Sequence, residues 1–298
     1  VAFTDLGEGK EQWIYNDAKV RPAGIIGEQY PDDTINSLLY NMDYNSLRSL
    51  NAVTSYLTSQ GYTSGKDFEK LQKARKLSPS EYVLNSKLGF ITLNINLNAN
   101  QTLAVAYQYT VIGQDKVYQV GEFSDQSIAD PNLLVTKLLK STTINTKMPM
   151  WDLMMKNVYN IRAYQINPKD FIMNILYLGN DNGVSTGYFS DAEGKAKGMS
   201  LLHLMNLDNL SSQNNPIEGG DGLFDFINGA TTNGGTINAA TGRIYFPVLE
   251  PFGSHIRKIF EDEPALADKY AFDSLYRLTK TSAEQYTEKN KFRLEGHY

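Results

Sequence analysis

Residues 88–123 read LGFITLNINLNANQTLAVAYQYTVIGQDKVYQVGEF, and this stretch decides the predicted fold. Apolar residues alternate with polar ones, a period of two that is typical of strands with one buried and one solvent-facing side. The alternating residues are Ile91, Leu93, Ile95 and Leu97, and then Leu103, Val105, Tyr107, Tyr109 and Val111. Turn-prone residues lie between them at 98–101 and again at 113–115, before a third strand over 117–123. The pattern predicts an antiparallel three-stranded β-meander, about the minimum for a stable sheet.

Apolar residues at helical spacing predict helices on both sides of the meander. The stripes are Ile35, Leu38, Leu39 and Met42; Leu47, Leu50, Val53 and Leu57; Phe68, Leu71 and Ala74 within 66–77; Leu134, Val135, Leu138 and Leu139; and Trp151, Met154, Met155, Val158 and Tyr159. Asp130-Pro131 and Pro149 provide start signals for the last two helices, because aspartate caps a first turn and proline fits inside it.

The remainder of the chain mixes strands, loops and short helices. Alternation within 163–178 predicts one or two strands, and further strands are predicted at 243–249 and from Phe292 onward. Short helices are predicted near 201–210, at 256–260 and from Pro264, and polar loops at 180–198 and 211–222. Because the elements follow no βαβ order and no repeat, the fold class is α+β, with residues 1–298 as a single segment and 124–130 as its likeliest seam.

Composition excludes several classes of function. The net charge of −5 and the lack of a basic stripe interleaved with aromatics give no reason to expect nucleic acid as a partner. The absence of cysteine removes disulfides, thiolate metal sites and cysteine nucleophiles. No apolar run approaches the roughly 18 residues of a membrane-spanning helix. Strand-like residues at both ends lead us to expect a piece of a longer polypeptide.

The sequence predicts no catalytic, cofactor-binding or metal-binding constellation. His203, His255 and His297 have no second histidine or carboxylate at the spacing of a zinc site, which favours structural roles. Gly219 to Gly222 lacks the Lys-Ser or Lys-Thr of a phosphate-binding loop. The stripe at Trp151 is expected to be core.

Acidic residues leave two alternatives open. Carboxylate pairs occur at Asp5 with Glu8, at Asp221 with Asp225, and in Glu261-Asp262-Glu263, and acidic turns of this kind are usually only solvated. A second set of oxygen donors could hold calcium but lacks the spacing and closing glutamate of a calcium loop, which favours Asx turns. Its members are Asp208, Asn209, Asn214, Asn215, Asp221 and Asp225.

Several long motifs resemble one known family. They are RKLSPSEYVLNSKLGFI at 75–91, LAVAYQYT at 103–110, YQVGEFS at 118–124, PMWDLMMKNVY at 149–159 and GRIYFPVLEPFG at 242–253, with VAFTDLGE at 1–8 as the entry. Together they resemble the SprA family of Bacteroidetes, also called Sov. The resemblance covers most of the chain, with weaker matching over 20–65 and 180–240.

The resemblance implies a part of the outer-membrane translocon for type IX protein secretion and gliding motility, a very large single-chain β-barrel. This chain would be a soluble insertion in that barrel, capping the pore on the extracellular side, because periplasmic turns of such barrels are short. A periplasmic placement is the alternative. The implied partners are the rest of the barrel, secretion-system subunits and exported cargo proteins, and no catalytic residue, cofactor or metal is implied. An insertion also requires the first and last strands to lie close together.

Two other functions compete with this reading. The first is a cell-surface module that binds glycan or protein through exposed tyrosine and tryptophan, which buried Trp13 and Trp151 would weaken. The second is a hydrolase, which requires two carboxylates some 5–10 Å apart across a cleft.

Overall fold

The computed structural model describes residues 1–7, 32–33, 42–125, 132–179, 183–229 and 235–298. The chain divides into two compact units, Val1–Met154 and Met155–Tyr298. The predicted α+β class is confirmed, since each unit combines short helices with small, mostly antiparallel sheets. Of the seam predicted at 124–130, only Ser124 and Asp125 belong to the described residues. The single segment and the closeness of the first and last strands stay predictions.

The first unit is built around a mixed sheet with strand order β2-β1-β8-β5. Strand β1 pairs parallel with β8 and antiparallel with β2, while β3–β4 and β6–β7 form separate antiparallel pairs. The described elements of this unit are β1 (Ala2–Phe3), α1 (Tyr44–Arg48), α2 (Val53–Ser59), β2 (Phe68–Glu69), β3 (Tyr82–Asn85), β4 (Phe90–Leu93), β5 (Leu103–Val105), β6 (Tyr107–Thr110), β7 (Val117–Val120), β8 (Thr136–Lys140) and α3 (Pro149–Asp152).

The core of the first unit joins its N-terminal strand to the two short helices. Phe3 on β1 contacts Phe68 on β2, with ring centroids 6.2 Å apart. Leu47, Val53 and Leu57 pack into the same cluster from α1 and α2, as the helical spacing predicts. Helices this short are not stable alone, so burial of these side chains must hold them in place.

An ion pair ties α1 to the segments that follow β7 and precede β8. Arg48 Nη1 donates to Glu122 Oε2 at 3.0 Å, and Nη2 donates to Oε1. Glu122 Oε2 also accepts the Val135 amide at 2.7 Å, and Arg48 exchanges backbone and side-chain hydrogen bonds with Leu133. Both side chains are mostly buried, so each charge depends on the other for compensation.

A lysine closes the turn between β4 and β5. The Lys140 ammonium donates to the carbonyl oxygens of Gln101 at 2.6 Å, Ala99 at 3.1 Å, Asn98 at 3.4 Å and Ser141 at 3.1 Å. Burial lowers the pKa of Lys140 from its ordinary value. This contact fixes the predicted turn at 98–101 to the end of strand β8.

The second unit contains two small antiparallel sheets, ordered β11-β12-β9 and β10-β13. Strands β10 and β13 pair along six residues, from Ile172 opposite His297 to Tyr177 opposite Phe292. The described elements are β9 (Val158–Asn160), β10 (Ile172–Tyr177), α4 (Leu201–Leu204), β11 (Ile237–Asn238), β12 (Arg243–Tyr245), α5 (Ser254–Ile259), α6 (Pro264–Tyr270), α7 (Lys280–Gln285) and β13 (Phe292–His297), with 3₁₀ turns at Gly194–Ala196 and Asp273–Arg277.

An aromatic cluster fills the core of the second unit. Tyr270 lies 4.2 Å from Phe189, 5.0 Å from Tyr177 and 5.6 Å from Phe260 between ring centroids. Nearby, the Tyr276 hydroxyl accepts the Phe252 amide at 2.8 Å. Tilted, edge-on and stacked aromatic pairs of this kind add stability beyond the area that they bury.

Two predicted helices are wrong and a third is shorter than predicted, because pairing with distant strands overrides local spacing. In 66–77, Phe68 enters β2, and the residues after Glu69 form no helix. In the stripe at 134–139, Val135 and Leu138 are buried on or beside strand β8 instead. The helix that starts at Pro149 ends at Asp152, and the last two residues of its stripe lie in strand β9. The signals at Asp130-Pro131 and at 35–39 lie outside the described residues.

The predicted three-stranded meander is only partly present, because its strands pair differently from the prediction. Its second and third strands do form an antiparallel hairpin, β6–β7, around the predicted turn at 113–115. Its first strand pairs instead with the preceding residues Tyr82–Asn85, and β5 pairs with β8. The strand predicted over 103–111 is interrupted at Ala106. The predicted strands at 171–177, 243–249 and 292 onward, and the helices at 201, 256 and 264, are confirmed with shorter bounds.

We expect Glu122→Gln to lower the free energy of unfolding of the first unit by about 2 kcal/mol, because Arg48 then loses its countercharge in a largely buried place. Urea titration of the chain followed by circular dichroism measures the change.

The matched control is Glu284→Gln, which breaks an exposed pair with Lys280 at 3.7 Å. Exposed pairs contribute little, so this variant should behave like the parent chain. Equal effects of the two substitutions would contradict the structural role of the Arg48–Glu122 pair.

Candidate functional site

The most unusual surface of the molecule lies in the stretch between Phe68 and Tyr118. Both of these residues are buried, yet none of the residues 69–117 is buried, and all of them are described. We call residues 69–117 the exposed span. It contains strands β3, β4, β5 and β6 and the alternating apolar pattern that predicts a half-buried sheet. A pattern made for burial is therefore left largely uncovered by the rest of the first unit.

The β3–β4 hairpin shows this most clearly. Cross-strand pairs place Tyr82 opposite Leu93 and Leu84 opposite Ile91, and side chains two residues apart on a strand share one face. One face of the hairpin is thus entirely apolar, although no residue in either strand is buried. Two-stranded hairpins are marginal in water by themselves, so this one gains stability from any surface that covers it.

The β6–β7 hairpin ends in apolar residues as well. Ile112 in its turn is fully exposed, and Val117 at the start of β7 is also exposed. Behind this tip, Tyr109 stacks on Tyr118 with ring centroids 5.2 Å apart, and Gln108 donates to Gln119 at 2.9 Å. The paired side chains make the hairpin a well-defined support for its apolar tip.

The loop predicted as a candidate calcium site is organised by the buried side chain of Asp208. Its Oδ1 accepts the Asp221 amide at 2.8 Å, and its Oδ2 accepts the Gly222 amide at 3.0 Å and the Ser200 hydroxyl at 3.3 Å. Gly220 has a φ of +75°, and a Cβ there would overlap the Asp208 carboxylate. The sequence favours Asx turns over calcium for this set of oxygens, and the structure points the Asp208 carboxylate at the amides of its own loop.

The second acidic residue of this loop behaves in the same way. The Asp225 carboxylate accepts the Asn209 amide at 2.6 Å and the Leu210 amide at 3.2 Å. Partial burial raises the pKa of Asp225 above its ordinary value, and the negative charges of Asp208 and Asp221 act in the same direction. Asp208 and Asp225 therefore connect the two strands of the loop through backbone amides.

The remaining two oxygen donors of the set lie at a tight turn. The Asn214 amide donates to the Ser211 carbonyl at 2.7 Å, and the Asn215 amide donates to the Ser211 hydroxyl at 3.3 Å. Asn214 adopts a φ of +59°, which asparagine tolerates better than most residues. The predicted turn at 211–222 is present in this form.

Two histidines bind backbone carbonyls around helix α4. His203 Nδ1 lies 2.5 Å from the Asp208 carbonyl oxygen, and His255 Nε2 lies 2.7 Å from the Leu204 carbonyl oxygen. A ring nitrogen that faces a carbonyl oxygen must carry the hydrogen, so both nitrogens act as donors. His203 lies within α4, His255 in the first turn of α5 and His297 in β13, as predicted.

The other acidic side chains accept nearby backbone amides or are exposed to solvent. Asp5 is buried and accepts the Gly7 amide at 2.7 Å, while Glu8 lies outside the described residues. Asp221 accepts the amide of Leu223 at 3.0 Å, two residues on. Glu261 and Asp262 are exposed between α5 and α6. These contacts give the hydrolase hypothesis no support.

Metal ligands and tryptophans are the remaining candidates in the described part of the chain. Among those residues, no group of three or more histidine, aspartate or glutamate side chains is placed to hold a metal ion. Trp151 is half-buried, and Trp13 lies outside the described residues. Because Trp151 keeps part of its surface exposed, burial of both tryptophans, the condition that would weaken the surface-binding hypothesis, is not met.

Comparison with known proteins leaves the family open. No protein-family model matches this chain, and no curated protein matches it either. Within the residues that the structure describes, no helix combines the length and apolar character that crossing a membrane requires. The family resemblance of the sequence motifs stays a prediction.

We expect Gly220→Ala to destabilise the second unit by about 2 kcal/mol more than Gly219→Ala, measured by urea titration. Both glycines have positive φ, but the space around Gly219 is open whereas Gly220 lies against Asp208. Gly219→Ala therefore measures the backbone strain alone. Equal losses for the two variants would show that the Asp208 contact contributes nothing to the loop.

We also expect millimolar calcium to leave the melting temperature of the chain unchanged, because the carboxylates of Asp208 and Asp225 already accept backbone amides. Ligands that bind only the folded state raise the melting temperature, which differential scanning fluorimetry detects. A rise with calcium that magnesium does not reproduce would restore the calcium site.

Proposed function

We propose that this chain is a non-enzymatic segment of an outer-membrane translocon of the SprA (Sov) type, which serves type IX protein secretion and gliding motility. The segment would belong to the extracellular cap of the pore, with the periplasmic side as the alternative placement. Its partners would be the rest of its own β-barrel polypeptide, secretion-system subunits and exported cargo.

The exposed span is the single observation that supports this proposal. Residues 69–117 are patterned like a sheet that covers a core, yet the described chain buries none of them. Contiguous exposed apolar surface marks a site of contact with another protein or with a membrane. A segment that is fitted into a larger polypeptide would have such a surface where its neighbour packs.

Within the span, we assign the β6–β7 hairpin to protein contact. Its tip offers Ile112 and Val117, and its sides offer Tyr109 and the hydrogen-bonded pair Gln108–Gln119. Tyrosine with aliphatic residues at the centre and neutral polar groups around it is the composition of protein interfaces. Covering exposed aliphatic side chains contributes about 25 cal/mol for each Å² removed from water.

The alternative function is a cell-surface module that binds glycan or protein. Exposed Tyr164 and Tyr188 in the second unit favour it, because sugars and peptides stack on exposed aromatic rings. Binding of the isolated chain on a glycan array, abolished by alanine at these two tyrosines, would support this alternative over the translocon proposal.

We expect Ile112→Asp/Val117→Asp, introduced into the full-length parent protein, to reduce cargo secretion strongly. The two charges would lie inside a contact that requires apolar groups, while the isolated chain should keep its melting temperature because both positions are exposed. The measurement is the amount of cargo in the culture medium at equal translocon abundance.

Leu249→Asp is the matched control, since Leu249 is an exposed aliphatic residue of the second unit. It should secrete like the parent strain. Normal secretion by the double variant, or by a strain that lacks the whole segment, would remove the proposal. The flanks of the parent gene provide a separate check, because a barrel requires amphipathic strands of about ten residues on both sides.

A further inference from the structure

The first half of the exposed span differs from the rest of the chain in charge. Residues 70–93, which we call the basic arm, hold five lysine and arginine residues and a single acidic residue, for a net charge of +4. The whole chain has a net charge of −5. The basic arm is therefore a positive segment on an otherwise acidic protein.

The acidic residue of the arm is neutralised within it. Arg75 donates to both carboxylate oxygens of Glu81, at 2.7 Å and 2.6 Å, and the Ser78 amide donates to the same carboxylate at 2.8 Å. This contact closes the turn at 75–81 that leads into strand β3. The exposed lysines Lys73, Lys76 and Lys87 are then left without an acidic partner in the described chain.

The tip of the arm places aliphatic side chains beside a lysine. Asn85 Oδ1 accepts the Leu88 amide at 2.9 Å, and Gly89 takes a φ of +68°, so the chain turns tightly between β3 and β4. Leu84 is 58% exposed and Leu88 is 66% exposed, on either side of Lys87. Charged and aliphatic groups therefore meet at the end of a hairpin whose strands, among the described residues, pair only with each other.

We propose that the basic arm docks on the acidic headgroup surface of a lipid bilayer, with Leu84 and Leu88 entering the interface. Basic side chains near an anionic leaflet are attracted to it, and neighbouring apolar groups add to binding by leaving water. The proposal deepens the proposed function and rests on it only for placing the chain beside a membrane.

A lipid surface fits this arm better than an acidic protein does. The unpaired cations are all lysines, which are depleted in the centres of protein interfaces, where arginine and aromatic residues are enriched. The exposed tip residues are aliphatic, and lysine stems can follow them while the ammonium groups stay at the headgroups. Lysines and a few aliphatic side chains are sufficient to bind the headgroup surface of an acidic bilayer, because that surface is flat and chemically uniform.

The test is co-flotation of the whole 298-residue chain with lipid vesicles. We expect the chain to float with vesicles that contain phosphatidylglycerol and phosphatidylcholine, and not with vesicles of phosphatidylcholine alone. High salt should release it, because salt screens exposed charges. No flotation with acidic vesicles, or equal flotation with both kinds, would overturn the proposal.

Substitutions in the arm locate the contact. Lys73→Gln/Lys76→Gln/Lys87→Gln should weaken binding on the order of a hundredfold, about fivefold for each lysine. Its matched control is Lys195→Gln/Lys197→Gln/Lys258→Gln, which removes the same charge from exposed positions of the second unit. Equal losses in the two variants would overturn the arm as the site.

Leu84→Ser/Leu88→Ser tests the apolar contribution and should weaken binding on the order of tenfold or more. The control Leu223→Ser/Leu249→Ser changes two leucines that are 55% and 79% exposed in the second unit, and it should bind like the parent chain. If the Leu84/Leu88 variant binds like the parent, insertion of the tip is wrong. Circular dichroism checks that all four variants are folded.

The two proposals fail separately. The Ile112→Asp/Val117→Asp variant changes no residue of the arm and should still float with acidic vesicles. If the chain floats with acidic vesicles but the Ile112→Asp/Val117→Asp variant exports cargo normally, the lipid contact stands and the translocon role is removed. If that variant loses export but the chain does not float, the translocon role stands and the lipid contact is removed.

Discussion

A pair of β-strands can hide an apolar face only if another layer covers it, and this constraint governs the first unit. Phe68 is buried because it belongs to the cluster around β1, α1 and α2. Between Phe68 and Tyr118 the chain forms hairpins whose strands pair mainly in twos, and none of the described residues 69–117 is buried. The unit is thus stable where Arg48, Glu122 and β8 meet, and incompletely covered where its sequence is most regularly patterned.

The local pattern of this protein is readable from sequence, but the choice of pairing partners is not. Alternation correctly marked β10, β12 and β13, because a period of two depends only on neighbouring residues. Strand β8 was missed because Val135 and Leu138 also fit a helical stripe, and its partner β1 lies more than 130 residues earlier in the chain. The tie between Arg48 and Glu122, 74 residues apart, has no local sequence signal.

The acidic loop shows the same limit at the level of side chains. Aspartate and asparagine are suited both to calcium and to backbone amides, so Asp208 and Asp225 leave the two uses open in sequence. The two uses are distinguished by the direction in which a carboxylate points. For Asp208 that direction depends on the close approach of Gly220, which has a positive φ. The alternating apolar residues of the exposed span can be read from the sequence. That none of the residues 69–117 is buried can be recognised only from the structure.

The hairpins of the exposed span also present backbone edges. In the described chain β3 pairs only with β4 and β6 only with β7, so their outer edges hold amide and carbonyl groups that can template another strand, although the Gln119 carbonyl on β7 accepts the Asp33 amide at 2.7 Å. Such edges invite aggregation while a polypeptide is still incomplete. The order of assembly therefore matters: whatever packs on this stretch has to arrive early, or a chaperone has to shield it, before two copies of the protein find each other.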